Sequence, residues 1–188
     1  MRGFYKVSSL LFCLVVLFSS AAQSENIPPK LQQEIDKTEK YAKDETVIHA
    51  VQTQNQRRVS MDEILKMDRD WIRGTISEDL VKSLMDNHCA LKMKELANEI
   101  QSSMEAFVMD DQGVLVCMTQ RTSDYWQGDE PKWIDSFKGG AGETVVSKRE
   151  YDQSTKSTLV HVSVPIMDEQ KAIGVLCIGI NLTKLAEE

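Results

Sequence analysis

The chain carries few of the groups that covalent, metal or nucleic-acid chemistry requires. Its 188 residues include four cysteines and three histidines. No pair of cysteines stands in a C-x-x-C or C-x-x-C-H spacing, which removes zinc-ribbon and c-type haem readings. His49, His88 and His161 lie far apart and none falls in a metal-ligand spacing, so neither metal nor cofactor is expected. Glycine-rich phosphate loops and nucleophile elbows are missing. Basic clusters are missing too: Arg57-Arg58 is a lone pair, and the formal net charge is −7. Nucleic acid and anionic membrane surfaces are therefore poor partners. The chain has no internal repeat and no low-complexity tract.

Long apolar runs are also absent, with one short exception at the start. Arg2 and Lys6 precede an apolar stretch from Val7 to Phe18, followed by Ser19-Ser20-Ala21-Ala22-Gln23. A basic segment, about a dozen apolar residues and small residues at −3 and −1 form a secretory signal peptide. The run is shorter than the roughly 20 residues a spanning helix needs. Cleavage is expected before Gln23, and Cys13 follows the bulky Phe12, which argues against lipid attachment. The expected organisation is a signal peptide over residues 1–22, a helical segment over 23–104 and a sheet over 105–188, with the mature protein in the periplasm. Removing the leader leaves about 165 residues, enough for one domain with a real core. Cys89, Cys117 and Cys177 then remain, an odd count that leaves at least one thiol unpaired. Cys117 and Cys177 sit in apolar strand-like runs and read as buried free thiols.

Pro28-Pro29 opens one long helix to about Val59, close to 45 Å at 1.5 Å per residue. Leu31, Ile35, Thr38, Ala42, His49 and Gln52 mark its stripe, with Ile48 and Val51 beside it. Such a polar helix is expected to rest on the sheet at one end and to pair with a second copy of itself as a homodimer. Ser60-Met61-Asp62-Glu63 is a capping box for a second helix, which Gly74 ends. Thr75-Ile76-Ser77-Glu78 is another, opening a stretch to Ile100 with a break near Asn87. After Ser103 the period becomes strand-like. Glu105–Met109 and Val114–Thr119 flank the turn Asp110-Asp111-Gln112-Gly113. Pro131 starts a short helix through Phe137, closed by Gly139-Gly140. Glu143–Tyr151, Thr158–Pro165 and Ala172–Asn181 are three more strands, joined by turns at Asp152–Ser157 and Asp168–Lys171. The last is apolar on both faces, as a central strand covered on both sides requires.

The segment Thr122 to Trp133 places Tyr125, Trp126 and Trp133 with Asp124, Gln127, Asp129 and Glu130 in one loop. Aromatic faces with fixed acids suit a small polar or cationic ligand. Tyr125, Trp126, Asp129, Trp133 and, from the end of the third strand, Tyr151 are the expected ligand-binding residues, with Gly128 giving the tight turn. Asp129 is expected to be partly desolvated and to select an amine-bearing ligand, or else to cap the helix at Pro131. Trp71 is read as packing.

Several segments together resemble the Cache family of extracytoplasmic, PAS-like (PDC-type) sensor domains in single-module form. They are Ile48-His49-Ala50-Val51 with Gln54-Asn55, Ser60-Met61-Asp62-Glu63-Ile64, Asp68, Asp70-Trp71, Phe107-Val108-Met109-Asp110 with Gly113, the Thr122–Glu130 loop, Val162-Ser163-Val164-Pro165, and Ile173-Gly174 with Ile180-Asn181-Leu182. The resemblance implies an α+β fold: a long N-terminal helix and a five-stranded antiparallel sheet of order 2-1-5-4-3 with a small-molecule pocket on one face. Typical members sit between transmembrane helices and drive a kinase, chemoreceptor or cyclase. Here the chain ends at Glu188, directly after the last strand. The expectation is a standalone periplasmic sensor that signals through a membrane sensor or effector partner. Two other readings compete with it: an adaptor dimerising through its long helix, and a hydrolase pairing Cys89 or Ser163 with His88 or His161. Overall, the chain reads as a binding protein and not as an enzyme.

Overall fold

The computed structural model describes residues 27–152 and 156–187. The expected signal peptide, and the middle of the Asp152–Ser157 turn, lie outside the described residues. The elements are α1 (Pro29–Ala42), α2 (Glu45–Gln56), α3 (Met61–Ile72), α4 (Glu78–Asp86), α5 (His88–Glu99), β1 (Ser103–Met109), β2 (Leu115–Met118), α6 (Pro131–Phe137), β3 (Val145–Val146), β4 (Glu150–Asp152), β5 (Ser157–Asp168), β6 (Lys171–Asn181) and α7 (Leu182–Glu187). The fold is α+β, with helices packed on one antiparallel sheet of order β2-β1-β6-β5-β3, and β4 also paired to β5.

The expected single N-terminal helix is two helices. Pro29 starts α1, and Asp44 caps α2, its Oδ1 accepting the Thr46 amide at 2.8 Å. The break has a packing reason. Leu31, Ile35, Thr38 and Ala42 are buried along α1. Continuing that spacing unbroken would turn Thr46 and His49 inward and leave Val47 and Val51 out of phase. The interruption at Lys43-Asp44 resets the phase, so Val47 and Val51 are buried and His49 is exposed. The apolar stripe of α1 is thereby used within the molecule, against the sheet, and not held free for a second copy.

Shorter corrections follow the same logic. The cap of α4 is Ser77, while the Thr75 hydroxyl bonds back to the Asp70 carbonyl at 3.2 Å. The break at Asn87 is present: its side chain caps α5 by accepting the Ala90 amide at 2.9 Å and donates to the Val116 carbonyl at 3.0 Å. The expected strand Glu143–Tyr151 is split. Val146 faces Val162, but Glu150 faces Leu159, so one extra residue bulges between them. Ser147 sits in that bulge, where its Oγ accepts the His161 amide at 2.9 Å.

Two cores flank the sheet. On one face α1, α2 and α5 cover Val108, Val162, Leu176 and Ile178. On the other, α3, α4, the 122–130 loop and α6 gather around Phe107, Met109, Val175 and Cys177. The last strand is apolar on both faces, as its sequence requires. Cys117 is not a free thiol: it is joined to Cys89, tying β2 to α5, and Cys177 is the buried free cysteine.

Candidate functional site

The β1–β2 turn is a hub. Asp110 is buried, and its Oδ1 accepts the amides of Gln112 (2.8 Å) and Val114 (2.9 Å). The Trp126 indole N–H donates to the Gln112 carbonyl at 2.7 Å, and that of Trp133 donates to the Asp110 carbonyl at 3.0 Å. Gly113, at φ +81°, touches Gly128. A Cβ on Gly113 would come within 2.3 Å of the Gly128 Cα, so the two backbones can cross only as glycines. Asp68 holds the loop from below, accepting the amides of Tyr125 (2.9 Å) and Trp126 (3.0 Å).

The five expected ligand residues therefore separate. Trp126 and Trp133 clamp the turn from the loop and from α6. Tyr125 is buried, its ring 5.7 Å from that of Trp71. Asp129 is exposed, which removes the expected partial desolvation, and the N-cap of α6 is Glu130, without a side-chain cap. Tyr151 is 64% exposed on β4, where it pairs with Thr158.

A different set of polar groups meets under α6. Glu105 (β1), Gly179 (β6) and His161 (β5) are register partners on three adjacent strands. The glycine leaves a gap through which the Glu105 Oε1 and His161 Nε2 approach to 3.3 Å. A Cβ on Gly179 would crowd Glu105 Cγ at 3.3 Å and lie in ordinary contact with the imidazole at 3.7 Å. The His161 hydrogen bond holds the Glu105 carboxyl below the ordinary carboxylate range, opposed by burial and helped by the charges of His161 and Lys132. Lys132 of α6 lies 5.6 Å above the Phe107 ring. Deeper in, Ser163 donates to the Cys177 sulfur at 3.5 Å, and burial pushes the Cys177 thiol up to about 12, so it stays neutral.

Between α6, β3 and β5 lies a slot of about 50 Å³ lined by Lys132, Asp135, Ser147, His161 and Ser163 among others. A site for a whole metabolite needs roughly 300 Å³ or more, so with α6 in this position the slot is too small for one. Ser136 and Glu143 fasten that helix by reciprocal contacts of 2.8 Å, and a left-handed run at Lys138, Gly139, Gly140 and Gly142 follows it. The nucleophile–base pairs considered for a hydrolase are not assembled. Cys89 is in the disulfide, Ser163 faces Cys177 and His161 faces Glu105.

Sequence reasoning missed Glu105, Lys132 and Gly179 as a group, and weighed His161 only as a catalytic base. The available signal was the placement of Glu105 and His161 at sheet-facing positions of strands that are otherwise apolar. Their meeting depends on pairing both strands with Gly179, which strand alternation alone does not supply.

Among the described residues, no helix is long and apolar enough to cross a membrane, and no group of three or more His, Cys, Asp or Glu could hold a metal ion. No curated protein matches the chain. Solved structures similar to it include the ligand-binding domain of the Campylobacter jejuni chemoreceptor Tlp3 in complex with 4-methylisoleucine. That match has 12% identity and a TM-score of 0.41, covering 85% of this chain and 63% of that one. Another is the ligand-binding domain of the Pseudomonas aeruginosa amino acid chemoreceptor PctC in complex with GABA, at 14% identity and a TM-score of 0.44, covering 63% and 56%. An extracellular ligand-binding receptor from Desulfohalobium retbaense matches at 11% identity and a TM-score of 0.40, covering 84% and 25%. The chain thus spans less than two thirds of the first of these. A family model covers more than half of the chain, from residue 75 to residue 187. The protein belongs to the family of methyl-accepting chemotaxis protein-like first PDC sensor domains.

Proposed function

We propose that this sensory domain works in the periplasm, binds a small amine-bearing metabolite under α6, and passes its state to a membrane sensor or effector protein. The observation that carries the reading is the Glu105–His161 pair meeting over Gly179 beneath α6, whose Lys132 lies over the neighbouring Phe107 ring. Glu105 and His161 make a partly buried carboxylate–imidazole contact. It is a good exchange site, because an incoming ammonium replaces His161 on Glu105 while Lys132 and the slot hydroxyls take the ligand's acceptors. Trp133 belongs to the roof and is the ligand contact retained from the loop. Trp126 and Asp129 act as support for that roof, and Tyr151 lies outside it. Lifting α6 breaks the Trp133 bond to Asp110, which gives the bound state a route to the β1–β2 turn.

The test is a thermal-shift screen of the purified protein against amines and amine-bearing metabolites, followed by Glu105→Gln and Lys132→Gln. A ligand at a hundred times its Kd is expected to stabilise the fold by about 2.7 kcal/mol, and Glu105→Gln should abolish that gain. If no amine raises the melting temperature, or the gain survives Glu105→Gln, the reading is wrong.

A further inference from the structure

A larger cavity lies away from α6, on the outer edge of the sheet. Helices α2 and α4 both rest against α5 and β2 without packing extensively on each other, leaving a cleft of about 420 Å³ between them. Its floor is apolar, formed by Leu84, Leu115 and Val116 beside the buried Cys89–Cys117 disulfide. Its walls carry His49, Thr53 and Arg57, one row along α2 at i, i+4 and i+8, faced by His88 at the start of α5. No aspartate or glutamate lines it, in a chain of net charge −7.

Tyr125 supplies the second, independent observation. Its ring is fixed against Trp71 and only 5% of the residue is exposed, yet it lines this cleft. Its hydroxyl makes no hydrogen bond among the described residues, and burial pushes it up to about 12, so it remains a donor at neutral pH. The nearby acids Asp110 and Glu63 also raise it, Arg57 opposes them, and neither acid lines the cleft. An unpartnered donor lining a cleft that also carries Arg57 and no carboxylate is placed to meet an acceptor brought by a ligand.

We propose that the α2–α4 cleft is a second ligand site, selective for a small organic carboxylate whose apolar body lies on Leu84, Leu115 and Val116 and whose carboxylate is held by Arg57 and the Tyr125 hydroxyl. Its charge preference is opposite to that of the α6 site, and it does not depend on that reading.

The test is calorimetric titration of the purified protein with hexanoate, with hexylamine as the charge-reversed control. Hexanoate is expected to bind saturably and hexylamine not at all. Arg57→Gln and Tyr125→Phe should each weaken hexanoate roughly tenfold or more, the ordinary consequence of losing a hydrogen bond to a charged group. Tyr125→Phe keeps the ring against Trp71, so an unchanged melting temperature with weaker binding isolates the hydroxyl. Glu105→Gln, at the other site, should leave hexanoate affinity as it is. The proposal is overturned if hexanoate gives no saturable heat, if hexylamine binds as well, or if both cleft variants bind hexanoate like the unmodified protein.

Discussion

Asp110 shows how one side chain can serve a turn and work against the fold. It is buried, and burial pushes its carboxyl up to about 6 despite the two amides that favour the charged form. In the unfolded chain the same group titrates near 3.8. Between these values the folded protein binds the proton more tightly, so this group's contribution to stability falls as pH rises through the window. The penalty is absent below the unfolded value and complete above about 6. Asp110→Asn keeps the acceptor for both amides and removes the charge. It is expected to stabilise the protein by about 2–3 kcal/mol at neutral pH and to have little effect near pH 4. Urea melts across that range check this, and equal effects at both ends would refute it. Glu105 works in the opposite sense. Its lowered value in the fold contributes stability above the ordinary carboxylate range, lost as pH falls through the lowered value.

At the scale of elements, the disulfide is the main cross-link between layers. It ties α5 to the short strand β2 across a sequence separation of 28. Closing a loop of that length in the unfolded chain is worth about 3–4 kcal/mol in the chain-entropy account. Replacing Cys89 and Cys117 together by Ala is expected to lower stability by about that amount, measured by denaturant unfolding. The α2–α4 cleft should loosen with it, since the bond lies beside its floor. The α1–α2 break belongs to this scale as well. The sequence reads as one helix through Asp44, because an aspartate inside a charged helix is common. Only the two out-of-phase apolar stripes, read against the sheet they cover, require the interruption. The capping box at Ser60 and the Pro131 start of α6 were legible for the converse reason: each is completed by residues within one turn.

For the whole molecule, the family assignment makes this a sensory domain, and its export is the remaining question of place. The basic segment, short apolar run and Ser20-x-Ala22 site predict a mature chain beginning at Gln23. Intact-mass measurement of the protein recovered from a periplasmic extract checks this, and a membrane-bound product retaining Met1 would overturn it.

What the sequence by itself determined is whatever depends on neighbours in the chain. The 3.6-residue and two-residue periods, the caps, the hairpin turn and the central position of a strand apolar on both faces all follow from spacing over a few residues. The strand order was implied only by the family resemblance, and the sheet has it. The tertiary structure alone decided where the loop aromatics go and which polar groups share a surface. Trp126 and Trp133 look like a pocket wall in sequence, yet their indoles end on backbone carbonyls of a turn brought against them by strand pairing. Glu105 and His161 are separated by 56 residues and meet only because Gly179 occupies the strand between them. Tyr125 faces a cleft whose walls come from helices that precede it by dozens of residues. A binding site is a juxtaposition of distant segments, and no local period encodes which distant segments become neighbours.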